Sequence, residues 1–219
     1  MADPFVIEFQ FRNQRFEDAS KGLQAFSQAM MRDWDGSAKA LSREMKEFLD
    51  QVAQALAQRH STGWPGGTTE NTLSKRSGAL TNAIVGSVRV SGETFATVEG
   101  QIGAPGIPYA RIQETGGTIT PKKAKYLCIP LPAALTSNGL PIQSSPRDWP
   151  NTWIAESKAG NLIIFQRRGT SVVPLYVLKS SVTIPPRLGM RKTLDAGLPY
   201  FVERAADEMV KAIRVGAPA

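Results

Sequence analysis

The stretch YARIQETGGTITPKKAKYL (109–127) concentrates the side chains of this sequence that could do chemistry. It combines a single carboxylate, Glu114, with the pair Gly116 and Gly117. Three lysines follow, Lys122, Lys123 and Lys125. A carboxyl group beside a glycine turn and cationic side chains could serve as a general acid next to a loop that holds phosphate. The same residues could instead form a hairpin with a basic tip, whose role is shape.

Known phosphate-binding patterns do not fit this stretch. A P-loop needs G-x-x-x-x-G-K-[ST] and a dinucleotide fold needs G-x-G-x-x-G, and the chain contains neither. Gly116 and Gly117 are then explained by a tight bend that requires positive φ. Pro121 would set a second turn. We therefore predict a β-ribbon over 109–127 that presents a basic tip, with Glu114 as a hydrogen-bond acceptor or an inter-subunit ion-pair partner.

The remaining reactive side chains do not form a catalytic set. The chain has one histidine, His60, and one cysteine, Cys128, too few for a zinc site. His60 follows the strongest helix, where a cationic imidazole would suit the helix dipole, and no G-x-S-x-G elbow accompanies it. Cys128 lies in the apolar run YLCIPL and is predicted to be a buried strand residue. We predict no catalytic, metal or cofactor site and no enzyme.

Composition and charge add two constraints. The 219 residues are 42% hydrophobic, without an apolar run long enough to span a membrane. A single cysteine is typical of proteins made in a reducing cytoplasm. Residues 1–60 carry 8 basic and 9 acidic side chains, whereas residues 61–219 carry 18 and 10. The basic second part could meet nucleic acid or an acidic protein surface.

The first 60 residues predict one strand and two helices. Phe5–Phe11 alternates apolar side chains at period two, which indicates a strand. Residues 17–34 have helical spacing, and DGS at 35–37 predicts a break with Asp35 or Ser37 as the next N-cap. The second helix carries an apolar stripe from Leu41 to Leu56.

The rest of the chain predicts a meander of strands closed by a helix. A short helix begins at Gly78 or Ala79, and hairpins are predicted around SGET (91–94) and SKAGN (157–161). Val172–Val177 is a further strand. Residues 132–151 are too rich in Pro, Ser and Asn for regular structure, and residues 187–214 are helical, with Pro199 inside. The prediction is a single α+β domain over 1–219, with an antiparallel-rich sheet over 73–184 and projecting hairpins.

Three segments resemble one family. IPYARIQETGGTITPKKAKYLCIPLP (107–132) resembles the Y-A-x-x-x-E-x-G-G-x-I-x-P-K segment of tailed-bacteriophage virion-morphogenesis proteins, the Mu-type and minor-tail-protein-Z-like tail-completion or neck components. TLSKRSGALTNAIVGSV (72–88) is similar to the family's T-L-x-x-R-x-G-x-L region. VPLYVLKSSVTIPPRLGM (173–190) is similar to the P-L-Y-x-L-x-x-S-V-x-I-P-x-R stretch before its C-terminal helix. Thr115 replaces an aromatic residue of many relatives.

The resemblance implies a non-enzymatic virion protein of the tail or neck. Such proteins form a ring, with a hexamer as the expectation here, between the tail terminator or tube and the head-side connector. The basic part would line a passage for packaged DNA or face an acidic neighbouring ring, and the sequence favours neither. An alternative is a basic nucleic-acid-binding module. The predicted subunit-interface or DNA-facing residues are Tyr109, Arg111, Glu114, Gly116, Gly117, Lys122, Lys123, Lys125 and Arg187.

Overall fold

The computed structural model describes residues 9–11, 14–16, 19–94 and 96–215. Its helices are α1 (Ala19–Arg59), α2 (Ala79–Val85), α3 (Ala110–Thr115) and α4 (Met190–Val215). Its strands are β1 (Phe9–Phe11), β2 (Gln14–Phe16), β3 (Arg89–Ser91), β4 (Glu99–Gln101), β5 (Gly117–Ile119), β6 (Leu127–Pro130), β7 (Thr152–Glu156), β8 (Leu162–Arg168), β9 (Ser171–Lys179) and β10 (Val182–Ile184). All strand pairs are antiparallel. The predicted α+β class is confirmed.

The chain divides into two compact units. The first unit lies within residues 1–53, 87–103 and 194–219, and the second within 54–86 and 104–193. Helix α1 contributes to both, as does α4. The residues of the resembling segments 107–132 and 173–190 all belong to the second unit.

The first unit packs α4 and the β3–β4 hairpin onto α1. Phe48 and Phe201 stack with ring centroids 5.0 Å apart. A Cβ on Gly100 of β4 would lie 2.6 Å from Met45 Sδ, so the strand approaches α1 too closely for a side chain there. The buried Glu44 carboxylate forms an ion pair with Arg204 at 2.8 Å. The predicted hairpin around SGET is confirmed in β3 and β4.

Helix α1 continues through the predicted break at 35–37. Ser37 is only 2% exposed and Ala38 3%, so this part of the helix is buried rather than a loop with a capping residue. A Cβ on Gly36 would make ordinary van der Waals contact with Ala212 Cβ at 3.9 Å, so α4 lies against this part of α1. Burial of this kind outweighs the roughly 1 kcal/mol that glycine costs inside a helix. The predicted break is wrong.

The second unit is built on a four-stranded sheet of order β6-β9-β8-β7. Ala134, Trp149, Leu175 and Tyr176 form a buried cluster on it, and Trp149 Nε1 donates to Tyr176 Oη at 3.0 Å. The predicted hairpin around SKAGN and the strand at 172–177 are confirmed. Segment 132–151 is irregular apart from two 3₁₀ turns, Pro132–Ala134 and Pro146–Asp148.

The predicted β-ribbon over 109–127 is wrong. Ala110–Thr115 is a helix, and Gly116 ends it with φ +68°. Strand β5 then pairs with β10, whereas β6 pairs with β9, so β5 and β6 do not form a hairpin. The cause is that β5 and β6 each pair with a strand that is distant in the sequence, β10 and β9, instead of pairing with each other.

Four smaller predictions have mixed outcomes. Cys128 lies in edge strand β6 as predicted, but it is exposed, because the edge has no neighbour to cover it. Partial desolvation raises the pKa of its thiol, against the opposing effect of Arg147. The strand predicted from Phe5 is described only from Phe9 onward, and residues 5–8 lie outside the described part. The short helix near Ala79 and the C-terminal helix containing Pro199 are confirmed.

Candidate functional site

Glu114 binds the beginning of α4. It lies near the end of the short helix α3, and its Oε2 accepts a hydrogen bond from Met190 N at 2.8 Å. Its Oε1 accepts from Arg191 N at 2.9 Å. The first N–H groups of a helix have no partner within the helix, and a carboxylate there also favours the positive end of the helix dipole. Glu114 is therefore a hydrogen-bond acceptor that caps α4.

The residues around Glu114 join the same two segments through their backbones. Gln113 O accepts from Arg187 N at 2.7 Å and from Leu188 N at 2.8 Å. A Cβ on Gly116 would lie 2.9 Å from Pro186 Cδ and 3.1 Å from Ile184 O. The predicted positive φ at Gly116 and Gly117 is confirmed, at +68° and +150°. The glycine pair thus permits close approach of two chain segments, and no phosphate cradle is needed to explain it.

His60 ties the resembling segment 72–88 to the segment that ends at residue 190. Its side chain is buried, and its two ring nitrogens have different partners. Nε2 lies 3.1 Å from Leu188 O, whereas Nδ1 accepts from Leu73 N at 3.1 Å. A carbonyl requires a donor, so the proton is on Nε2. Burial lowers the pKa of His60 and Arg59 lowers it further, against the opposing effect of the hydrogen bond to Leu188. This direction disfavours the cationic imidazole that would suit the helix dipole.

The predicted basic residues fall into two groups. Lys122, Lys123 and Lys125 are exposed on the loop between β5 and β6. Within the described residues none of the three forms an ion pair, and Lys125 Nζ lies 5.3 Å from the centre of the Tyr126 ring. Arg111 is exposed on α3, and Arg187 Nε donates to Thr69 O at 2.8 Å. Arg111 and Arg187 thus lie in the Glu114 region, whereas the lysines form a separate surface.

A cavity of about 570 Å³ lies beside the Gln113–Arg187 junction, within the second unit. Sequence reasoning singled out two of its lining residues as interface candidates, Tyr109 and Arg187. It missed Lys75 and Arg76, which belong to the SKRSG run of segment 72–88 and have no recognised ligand spacing. Neighbouring basic residues next to a glycine were the only signal available.

Arg76 fixes the rim of this cavity. Its Nη1 donates to Gly139 O at 2.7 Å, and its guanidinium lies 4.4 Å from the centre of the Trp64 ring. Gly139 has φ +75°, and a Cβ there would lie 2.6 Å from the same ring. Arg76 and Trp64 together hold the irregular segment 132–151 at Gly139. Leu140, the next residue, lines the cavity.

Two kinds of site do not occur in the described part of the chain. Among those residues, no group of three or more His, Cys, Asp or Glu side chains is arranged to hold a metal ion. No described helix has the length and apolar character needed to cross a bilayer. Comparisons with protein-family models, with curated proteins and with solved structures find no match for the chain.

Proposed function

We propose that this protein is a structural component of a tailed-phage virion at the head–tail interface, of the tail-completion or neck type, and that copies of it form a ring. The ring, with six copies as the expected number, joins the end of the tail tube to the head-side connector. The protein is made in the host cytoplasm and acts in the virion. It catalyses no reaction.

The observation that carries the proposal is how two polar side chains, Glu114 within segment 107–132 and His60 outside the resembling segments, are used to hold those segments together. Glu114 and His60 are the two groups that an enzyme would most readily employ, and both are bonded to backbone groups of another segment. A carboxylate that holds two helix N–H groups and a buried imidazole bonded at both ring nitrogens are used for structure, which leaves little capacity for acid–base chemistry. This supports a role in which the segments define a shape.

The exposed surface supports assembly. A ring requires heterologous contacts, in which one patch of a subunit meets a different patch of the next. The described residues offer exposed apolar side chains on β7, where Ile154 is 59% exposed, and on α4, where Val202 is 56% exposed. The lysine loop between β5 and β6 adds a charged patch that could pair with an acidic neighbour.

The test is deletion of the coding sequence from a phage genome that carries it, followed by electron microscopy of the particles. The expected result is filled heads and complete tails that remain separate. Expression of the intact chain in trans should restore joined particles. Infectious particles with normal head–tail joints in its absence would refute the proposal.

A second candidate function is nucleic-acid binding, and the exposed Lys122, Lys123 and Lys125 favour it. Phosphate contacts release counterions, so affinity for duplex DNA should fall with salt at a logarithmic slope of roughly −0.9 for each neutralised phosphate. Titration of labelled duplex DNA at increasing salt measures this slope. A slope near zero would exclude a role for the lysine loop in DNA binding.

A further inference from the structure

The cavity beside Gln113 has the size and lining of a ligand site. Its volume of about 570 Å³ falls within the range of roughly 300–1,000 Å³ typical of such sites. Part of the wall is apolar and comes from Leu73, Leu80, Ile107 and Leu140. Leu140 is 41% exposed and Tyr109 45%, so both are accessible to a ligand that enters from solvent.

The charge of the lining is one-sided. Lys75, Arg76 and Arg187 line the cavity, and no carboxylate does. Arg76 is engaged by Gly139 O and the Trp64 ring, and Arg187 uses Nε for Thr69 O. The Lys75 ammonium forms no hydrogen bond or ion pair with any described residue, and the terminal nitrogens of Arg187 remain available. An anionic group would complement these two side chains.

Gln113 supplies a polar group to the same wall. Its Oε1 is buried, and no described residue donates a hydrogen bond to it. A buried acceptor without a partner costs about 1–3 kcal/mol, so a ligand that brings an N–H group to this oxygen would recover that free energy. The backbone carbonyl of Gln113 is already used by Arg187 and Leu188. The acceptor of Gln113 that remains for a ligand is its side-chain Oε1.

We infer that this cavity binds an acidic peptide segment of a partner protein. The peptide carboxylate contacts Lys75 and Arg187, a backbone N–H of the peptide donates to Gln113 Oε1, and an adjacent apolar side chain packs on Leu80 and Leu140. A nucleic-acid backbone fits less well, because its phosphates bring only acceptors and leave Gln113 Oε1 without a donor. Tyr109 is the one Phe, Tyr or Trp side chain that lines the cavity, and the His60 ring is bonded at both nitrogens, whereas single-stranded nucleic acids bind to rows of stacking aromatics.

Binding of two pools of short peptides to the full chain tests this inference. The pools are randomised at every position but one, which is aspartate in one pool and asparagine in the other, so they differ in charge but hardly in shape. Affinity selection with mass spectrometry gives the bound sequences, and fluorescence polarisation gives their Kd. Oligothymidylate is the competing probe. We expect peptides from the aspartate pool to bind about tenfold more tightly than their asparagine counterparts.

Two variants and a matched control locate the site. Lys75→Gln should weaken the selected peptide about tenfold, because it removes the charge while the backbone bonds of residue 75 to Thr62 and Trp64 remain. Lys122→Gln is the same change on the exposed loop and should leave the Kd unchanged. Gln113→Met should weaken binding while the melting temperature stays the same or rises, since an unpaired buried acceptor is lost.

Three results would overturn the inference. They are equal binding of the two pools, tighter binding of oligothymidylate than of any peptide, and equal loss of affinity in Lys75→Gln and Lys122→Gln. A lower melting temperature in Gln113→Met with unchanged affinity would likewise show that the Gln113 side chain stabilises the fold and does not contact the peptide. These measurements use the purified chain and are independent of the head–tail role, so either proposal can fail without the other.

Discussion

Replacement of Glu114 by glutamine changes half of the cap on α4. The carboxylate accepts from Met190 N at 2.8 Å and from Arg191 N at 2.9 Å. Glutamine keeps one acceptor oxygen and turns an NH₂ group toward the other backbone N–H. Hydrogen bonds to charged groups contribute about 1.5–3 kcal/mol, and the charge–dipole interaction at a helix N-terminus about 0.3–1 kcal/mol.

The half-buried position of Glu114 places the expected loss near the lower end of these ranges. We expect Glu114→Gln to lower the free energy of unfolding by about 2 kcal/mol, and Glu114→Ala by about 3 kcal/mol. For a chain of this length, each kcal/mol corresponds to a shift of roughly 2–4 °C in Tm. Thermal unfolding followed by circular dichroism should therefore show a drop of about 4–8 °C for Glu114→Gln.

Glu156→Gln is the matched control, because it makes the same change at an exposed position in β7. Its stability should stay within about 0.5 kcal/mol of the wild type. Hydrogen exchange should then locate the effect, with faster exchange at the amides of Met190 and Arg191 in Glu114→Gln alone. Equal Tm values for the two variants would refute the capping role, and a more stable Glu114→Gln variant would favour a catalytic or binding role instead.

Gly139→Ala should lower the free energy of unfolding by about 2–5 kcal/mol in urea titrations, because a Cβ would meet the Trp64 ring at positive φ. Gly169→Ala has a similar φ but open space, so it should cost only about 1–2 kcal/mol, and equal losses would contradict the steric argument. Wild-type stability should fall as pH drops below about 6.5, since burial lowers the native pKa of His60 and only the unfolded chain takes up the proton. His60→Gln should be less stable at neutral pH and should not show the His60 contribution to the fall in stability below about pH 6.5. An unchanged dependence of stability on pH in this variant would refute the attribution to His60. The double change Lys122→Glu and Lys123→Glu should alter stability by no more than about 0.5 kcal/mol yet reduce head–tail joining in complementation; a large fall in Tm would place these lysines in the fold.

Features that depend on neighbours in the sequence were predictable. The hairpin of β7 and β8 follows from two apolar runs around an Asn- and Gly-containing turn, and the observed register pairs Glu156 with Leu162. Strand β9 and helix α2 are recognisable for the same reason. In each case the residues that decide the conformation lie within a few positions of one another.

Features decided by distant partners were not predictable. Strand β5 pairs with β10, and Thr118 lies opposite Thr183, 65 positions away. Alternating polarity identifies a strand but carries no information on its partner. The unbroken α1 has the same origin, because burial of Ser37 and Ala38 in tertiary packing stabilises the helix where the propensities of Gly36 and Ser37 oppose it.

In the candidate site, too, local features were predictable and features that depend on distant residues were not. The sequence singled out Glu114, Gly116 and Gly117, and all three are used at the junction with residues 184–191. The role of Glu114 as a helix cap could not be read from the sequence, because α4 begins 76 positions later. The cavity was missed because its wall combines residues from 60–81, 107–113, 140 and 187.

The internal bonding in and around the resembling segments bears on where the contacts of the proposed ring would lie. Glu114, His60 and Arg76 are all engaged within the second unit, so they have little capacity for a neighbouring subunit. In the proposed ring, contacts between copies would then use side chains that the fold leaves exposed. In the described residues these include Ile154 on β7 and Val202 on α4, which lie outside the resembling segments, and the lysine loop, which lies within segment 107–132. Two proteins that share the segments and the fold could therefore still differ in the apolar contacts that β7 and α4 make in such a ring.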